Sequence, residues 1–238
     1  MADSNNSISA YNKSVTFTYE MKESRLLKSA RMIEKLPKGK FLDIGCANGD
    51  WALHWKSRGH EVFGIDIDSN SVARSTERGV PAKECDLNSS ALPFADNYFD
   101  CIYAGEVIEH LVDTDRFLQE IERCLKPGGH LLITTPNLVS FENRVRILFG
   151  IYPIWVNYNL TGSGHIRAYT PSILKKQLQA CGLTVKKHTG NWVPFLPQKI
   201  IDDVKMPILA ISGCLFPSFA MDIILLAQKG TAHAHLTK

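Results

Sequence analysis

From Gly39 onwards, short apolar runs alternate with amphipathic segments of helical length. This alternation is typical of a parallel β-sheet wrapped by helices, because a chain returns to the starting edge of such a sheet by crossing over through a helix. It therefore predicts an α/β fold with a doubly wound sheet. The predicted strands cover residues 40–44, 61–65, 82–85, 99–104, 130–134, 183–188 and 220–227, and the predicted helices cover residues 50–58, 69–78, 114–125 and 171–180.

The segments outside this alternation set the predicted domain organisation. A chain of 238 residues has room for one domain with a modest insertion. Apolar residues at helical spacing indicate a helical lead-in, and dense aromatic residues after the fifth strand indicate either a cap over a pocket or a surface helix pair that only extends the core. The predicted parts are a lead-in or lid (1–38), a ligand-binding core (39–136), a cap insertion (137–170), the C-terminal part of the sheet (171–229) and a tail (230–238).

Composition excludes several classes of protein. A content of 45% hydrophobic and 21% charged residues is ordinary for a globular chain, and a net charge of +3 is too small to predict a nucleic-acid partner. The six cysteines form no Cys-x-x-Cys pair, which argues against a zinc ribbon. The start of the chain has no apolar signal segment, so we expect a cytoplasmic protein.

One apolar stretch, residues 206–227, resembles a membrane span in hydropathy. Two prolines, a glycine and an aspartate interrupt it, and its last part has the length of a buried strand. We therefore expect no integral membrane span. Residues 206–218 remain candidates for either a dimer surface or a membrane-proximal patch, and we expect a monomer or a homodimer.

A small-residue loop follows the first predicted strand and precedes a helix. Gly45, Ala47 and Gly49 let the backbone approach a ligand closely, and the helix start presents unpaired N–H groups. The spacing does not fit Gly-x-Gly-x-x-Gly, so a dinucleotide pyrophosphate is a poor match. The loop predicts a different polar ligand at this turn.

Two carboxylates end the next two predicted strands. Asp66 lies 21 positions after Gly45, where a carboxylate can accept hydrogen bonds from both hydroxyls of a ribose, and Asp86 lies where one can accept from an adenine amine. Each alone is equally well interpreted as a helix N-cap. Together with the loop, they predict a nucleoside site at the carboxyl ends of the strands.

Six short motifs between residues 40 and 136 carry a family resemblance. They cover residues 42–49, 62–66, 92–96, 99–100, 106–111 and 125–129. In this order they resemble class I S-adenosylmethionine-dependent methyltransferases of the small-molecule, methyltransferase-11/23-like type. Ala47 departs from the usual middle glycine of that family. The resemblance implies a Rossmann-like, seven-stranded sheet whose last strand is antiparallel.

The resemblance also implies cofactor-binding roles. The loop would face the methionine part of S-adenosylmethionine, and the carboxylates the nucleoside, with S-adenosylhomocysteine as the product. The implied residues are Asp43, Gly45, Cys46, Ala47 and Gly49 for the methionine part, Asp66 for the ribose, Ile67 for the adenine face, Asp86 and the Leu87 backbone for the adenine edge, and Glu106 beside the sulfonium.

Glu106, Glu109 and His110 would share one face if their segment turns helically. Such a set can hold a divalent ion, as in the small-RNA terminal 2′-O-methyltransferases and the ubiquinone-pathway O-methyltransferases that it resembles. The alternative is that Glu106 supports the cofactor pocket, Glu109 is solvated, and His110 packs or acts as a base. We favour that alternative and expect no metal.

His165 precedes a predicted helix start at Thr170 and Pro171, in a segment that resembles the acceptor-pocket border of small-molecule methyltransferases. It is a candidate general base, as is His110, although a structural histidine is the other interpretation. Tyr11 and Tyr19 are candidates to close over the cofactor.

These observations favour an enzyme that methylates an oxygen or nitrogen atom of a small-molecule acceptor, without a nucleic-acid partner. Two alternatives stay open. The first is a metal-dependent RNA 2′-O-methyltransferase, and the second is a non-catalytic S-adenosylmethionine-binding module.

Overall fold

The computed structural model describes residues 23–157, 164–194 and 207–231. Seven strands form one sheet in the order β3-β2-β1-β4-β5-β7-β6. The first five strands are parallel, and β7 is antiparallel to both β5 and β6. This confirms the predicted fold class. The strands are β1 Lys40–Ile44, β2 Glu61–Asp66, β3 Ala82–Glu84, β4 Phe99–Gly105, β5 Leu125–Pro136, β6 Leu183–Gly190 and β7 Asp222–Lys229.

Helices connect these strands, and side-chain caps fix several helix starts. Asp68 accepts hydrogen bonds from the Asn70 and Ser71 N–H groups, and Thr170 accepts one from Ile173 N–H with Pro171 in the first turn. The described helices are α1 Ser24–Ile33, α2 Asp50–Lys56, α3 Ser69–Glu77, α4 Thr114–Cys124, α5 Phe141–Leu148, α6 Pro171–Ala180 and α7 Pro207–Leu215, with 3-10 turns at Ile108–His110 and Pro217–Phe219.

A hydrophobic core lies on each face of the sheet. On β1, Phe41 belongs to the core that includes Trp51 and Trp55 of α2, whereas Leu42 belongs to the core that includes Phe117 of α4. Both β1 side chains are fully buried, as expected for a central strand whose successive side chains point to opposite faces. The sheet is therefore a rigid base for the loops at its edges.

Strand β5 begins earlier than the sequence predicts. The sequence predicted a helix that ends at residue 125 and a strand that begins at residue 130. In the structure, Leu125 already pairs with Phe99, and a bulge separates that pair from the Cys101–His130 pair. Gly128 has φ +78°, a conformation that glycine adopts at little cost. The Pro-Gly-Gly segment thus bends within the strand.

The apolar stretch near the C-terminus forms α7 and then most of β7, which starts at Asp222 rather than at residue 220. Among the described residues, no helix is long and apolar enough to cross a membrane. Tyr11 and Tyr19, the candidates to close over the cofactor, lie outside the described residues.

The sheet order reverses between β1 and β4, which both leave the sheet at its carboxyl edge. In open α/β sheets, ligands bind in the crevice at such a reversal. The loops after β1, β2, β3 and β4 meet there.

Candidate functional site

The loop after β1 has a left-handed backbone at three positions. Gly45, Ala47 and Gly49 have φ values of +72°, +45° and +79°. A side chain at Gly49 would meet the Ser75 hydroxyl at 2.5 Å, so this position requires glycine. Ala47 adopts the same region at a cost of roughly 1–2 kcal/mol. The loop thus curls tightly at the carboxyl end of β1.

Backbone hydrogen bonds tie this loop to β2. The Gly45 and Cys46 N–H groups both donate to the Ile65 carbonyl at 2.9 Å. Asp66, the last residue of β2, accepts from Ala47 N–H and from Asp68 N–H, each at 2.9 Å. Burial raises the pKa of Asp66, although these hydrogen bonds oppose the rise. Its carboxylate is half-buried and held in one orientation beside the loop.

Asp43 lies beneath the loop and is fully buried. Its carboxylate oxygens have no side-chain partner among the described residues, while the Ala52 backbone N–H favours the charged form. Burial, and then the negative charge of Asp66, raise the pKa of Asp43 well above its ordinary value. A buried acid of this kind is unusual, and it lies where we expected a cofactor-binding residue.

Asp86 follows β3 and organises its own turn. It accepts from Asn88 N–H and from the Ser89 hydroxyl, both at 2.9 Å. The turn lies next to Asp66, because Cys85 N–H donates to the Asp66 carbonyl at 2.9 Å. Ile67 and Leu87, which follow the two aspartates, are half-buried at this edge.

Glu106 begins the turn after β4 and has φ +57°, a rare conformation for a residue with a side chain. Its Oε1 accepts from the Thr134 hydroxyl at 2.8 Å. Strain of this kind often marks functional sites. The predicted helical face is wrong here, since only a single 3-10 turn, Ile108–His110, follows.

Arg25 of α1 is a site residue that the sequence reasoning missed. Its guanidinium lies 3.7 Å from Glu106 Oε1 and 4.0 Å from Asp222 Oδ2. It also donates to the Thr134 hydroxyl at 3.3 Å. Burial alone would lower the pKa of Arg25, but the charge of Glu106 and its neighbours raises it. The sequence contains no pattern that links Arg25, near the start of a predicted helix, to the distant Glu106.

Glu109 is buried rather than solvated, which overturns one of our expectations. Its Oε2 accepts from the Thr135 hydroxyl at 3.0 Å, whereas Oε1 has no partner among the described residues. Burial, and then the charge of Glu106, raise the pKa of Glu109 well above its ordinary value. Its carbonyl accepts from Ile166 and Arg167 N–H at 2.9 and 3.0 Å, which brings the His165 segment to the turn.

The two candidate histidines lie together. Their ring centroids are 4.9 Å apart in an edge-to-face arrangement. His110 Nδ1 is 3.2 Å from the Gly164 carbonyl, and His165 Nδ1 is 2.9 Å from the Trp155 carbonyl. Burial, and then the neighbouring His165, lower the pKa of His110 to about 4. His110 is therefore neutral at neutral pH.

Glu109, His110 and His165 form a group of potential metal ligands in the described part of the chain. One ligand atom from each lies within 4.8 Å of the others. This set differs from the Glu106, Glu109 and His110 set that we considered and disfavoured. Glu106 is directed to Thr134 and Arg25, and His165 comes from a segment distant in sequence. Spacing along the chain contained no sign of that third member.

The sheet order, the antiparallel β7, the left-handed loop and the acid after β2 together define a class I S-adenosylmethionine-dependent methyltransferase domain. The sequence matches the methyltransferase domain family over residues 18–188, and the chain belongs to that family. The cofactor of this family is S-adenosylmethionine, and S-adenosylhomocysteine is its product.

Curated relatives support this assignment. The chain is 30% identical over 160 residues to the human mitochondrial ubiquinone biosynthesis O-methyltransferase, covering 63% of this chain and 43% of that protein. It is 28% identical over 133 residues to the demethylmenaquinone methyltransferase of Bacillus cereus, covering 51% of this chain and 56% of that protein. The matches thus span less than two thirds of these relatives.

Solved structures share the fold at low identity. An S-adenosylmethionine-dependent methyltransferase from Mesorhizobium loti superposes with a TM-score of 0.62 at 18% identity, covering 87% of this chain and 99% of that chain. The cyclase SpnF superposes with a TM-score of 0.60 at 23% identity, covering 88% and 81%. A cyclase in this group shows that the fold alone does not specify the reaction.

Proposed function

We propose that this chain transfers a methyl group from S-adenosylmethionine to an oxygen or nitrogen atom of a small-molecule acceptor. The observation that carries the proposal is the grouping of Glu109, His110 and His165 beside the Glu106 turn, next to the cofactor edge. Small acceptors are also indicated by the names of the ubiquinone and demethylmenaquinone relatives. We further expect no nucleic-acid partner and a monomer or homodimer.

The cofactor roles in this proposal follow the carboxyl edge of the sheet. Asp66 would accept from the ribose hydroxyls with the lone pairs left by its two backbone bonds. Arg25 and Thr134 would act as positioning residues, because both hold the Glu106 carboxylate. The remaining assignments are Asp43, Gly45, Cys46, Ala47 and Gly49 for the methionine part, Ile67 and Leu87 for the adenine, and Asp86 for its amine.

The acceptor side must position a nucleophile in line with the activated methyl group and exclude water. Such positioning supplies roughly 7–11 kcal/mol in well-oriented reactions. We assign proton removal from the acceptor to His165, with His110 as its neutral neighbour. A pKa of about 4 makes His110 a weak base at neutral pH.

Calorimetry tests the cofactor half of the proposal. We expect saturable S-adenosylhomocysteine binding, weakened about 100-fold or more by Asp66→Ala and less by Asp66→Asn, because each of the two lost hydrogen bonds to the charged carboxylate costs about 1.5–3 kcal/mol. Asp115→Ala, at an exposed position of α4, is the matched control. Unchanged affinity in Asp66→Ala would contradict the assignment.

Turnover with quinol, phenol and amine acceptors tests the catalytic half. We expect His165→Ala to lower kcat about 100-fold or more while leaving S-adenosylhomocysteine affinity unchanged. Cofactor binding without turnover on any acceptor would instead favour the non-catalytic module.

A metal-assisted reaction is a second candidate, favoured by the Glu109, His110 and His165 group. The residues fit a divalent ion, since Glu109 Oε1 lacks a hydrogen-bond partner among the described residues and His110 is neutral. A bound ion would polarise an acceptor oxygen. Manganese titration followed by paramagnetic resonance tests this directly: binding lost in Glu109→Gln supports it, and no binding leaves the metal-free reaction.

A further inference from the structure

Apolar side chains are exposed on α5 and on the segment that follows it. Leu148 and Phe149 are 79% and 72% exposed, and Trp155 is 53% exposed. Scattered exposed apolar residues are ordinary, but contiguous ones mark interaction sites. The exposed large side chains of this segment are Val145, Ile147, Leu148, Phe149, Ile151, Tyr152 and Trp155.

A second exposed set lies on α7 and the 3-10 turn after it. Ile211 and Leu215 are one helical turn apart and are 55% and 67% exposed, and Phe216 and Phe219 follow at 51% and 37%. Unlike a surface helix with a polar outer face, α7 has none of Asp, Glu, Lys or Arg.

The two sets adjoin. The Arg144 guanidinium of α5 lies over the Phe219 ring at 4.8 Å from its centroid. Asn137, just before α5, donates to the Ser218 carbonyl at 3.1 Å. We call the combined surface the apolar face; it comprises residues 145–155 and 211–219.

Positive charge accompanies the apolar face. Residues 137–157 contain two arginines and one glutamate, and Arg146 is paired with Glu142 at 3.0 Å, which leaves Arg144 as the unneutralised charge of this segment. Arg144 is exposed, and on β6, next to α7, Lys186 and Lys187 are exposed. Exposed aromatic and aliphatic side chains beside basic ones are typical of segments that lie in the interfacial region of a membrane. Each basic residue near an anionic bilayer surface adds favourable attraction.

We propose that the apolar face docks on a lipid bilayer that carries anionic headgroups. With nine residues, α7 is too short to cross a bilayer, so it would lie in the plane of the interface. A second copy of the chain fits less well, because the face continues to the acceptor side of the site: the Trp155 carbonyl contacts His165 Nδ1. A partner protein there would cover that side, whereas a bilayer can present lipid-soluble molecules to it.

Vesicle sedimentation tests the proposal without any acceptor, so its outcome is independent of the proposed reaction. We expect the full chain to bind vesicles of phosphatidylcholine with about one third phosphatidylglycerol, and to bind pure phosphatidylcholine more weakly. Leu148→Glu with Phe149→Glu should weaken vesicle binding about tenfold or more, because two large apolar side chains no longer enter the interface. Arg144→Gln should weaken only the part that depends on phosphatidylglycerol.

The matched control is Val112→Glu with Ile173→Glu, which makes the same charge change at exposed apolar positions outside the apolar face. It should bind vesicles as the parent chain does, or with the small loss that two added negative charges cause. An equal loss in the control, no binding by the parent chain, or equal binding to both vesicle types would overturn the proposal.

Two other occupants give distinct results. A dimer in analytical ultracentrifugation that the Leu148→Glu, Phe149→Glu variant dissociates would identify the face as a self-association surface. A much lower Tm in that variant than in the control would mean that the face packs against another part of its own chain. Either result overturns docking on a bilayer.

Discussion

Ala47 occupies the loop position where the family resemblance leads us to expect a glycine, and its left-handed backbone gives that difference a measurable cost. Its φ of +45° is left-handed, which costs an alanine roughly 1–2 kcal/mol, while a glycine costs about 0.5–1 kcal/mol in additional unfolded-state entropy. We expect Ala47→Gly to stabilise the fold by up to about 1 kcal/mol in urea unfolding. Ala91→Gly, at an exposed loop position without positive φ, should destabilise slightly. A lower free energy of unfolding in Ala47→Gly than in the parent chain would contradict the inference that Ala47 is strained.

Asp43 makes stability depend on pH in a defined direction. Its pKa is raised well above the ordinary value by burial, so the folded state holds a proton that the unfolded state has already released. Between the unfolded and folded pKa values, stability therefore falls as pH rises. We expect Asp43→Asn to remove this contribution, so that its stability advantage over the parent chain grows with pH across that window. Urea unfolding at several pH values measures the difference, and a constant difference would contradict the assignment.

At the scale of elements, α1 is attached to the end of the sheet by a buried lysine. Lys28 donates to the Gly190 and Asn191 carbonyls at 2.5 and 2.6 Å. We expect Lys28→Met to cost about 1–3 kcal/mol in urea unfolding, because two buried carbonyls lose their donor. Arg31→Met, on the exposed side of α1, should change stability by less than about 0.5 kcal/mol. Similar losses in the two variants would show that the carbonyl contacts are not what secures α1.

Periodicity predicted the elements well because each has one dominant signal. The apolar run of β1 lies between Gly39 and Gly45, which mark its two ends. Thr170 and Pro171 begin α6 at the predicted residue. β5 was predicted to start five residues late, since its pairing of Leu125 with Phe99 depends on a neighbouring strand and not on its own sequence.

The site was predictable only where its residues follow directly from strand ends. Asp66 comes directly from the β2 register. Arg25 and His165 reach the site through tertiary contacts, namely with Glu106 and with the Glu109 turn. Such contacts leave no spacing pattern in one chain. The sequence named His110 and His165 separately as candidate bases, and only the structure shows that their rings lie 4.9 Å apart.

At the scale of the molecule, the sheet order separates the loops after β1, β2 and β3 from the strands near the C-terminus. Strands β1, β2 and β3 lie on one side of the reversal and end in the loop, Asp66 and the Asp86 turn. On the other side, β6 lies beyond β7, and α6 packs against β6. A ligand bound at the reversal should therefore protect one part of the chain selectively. We expect S-adenosylhomocysteine to slow amide exchange in residues 43–50, 66–68, 85–88 and 105–107, and to leave α6 and β6 unchanged.

Ligand binding also stabilises the whole fold. At a ligand concentration of 100 Kd, it slows the exchange of every amide that exchanges only through complete unfolding by about 100-fold. The comparison therefore uses amides that exchange by local opening, at a ligand concentration near Kd. The control is the Asp66→Ala variant, at a ligand concentration that gives the same fraction bound as in the parent chain. Compared with the parent chain, its largest loss of protection should be at residues 66–68. Protection centred on α6 and β6 would place the ligand on the wrong side of the reversal and contradict the site.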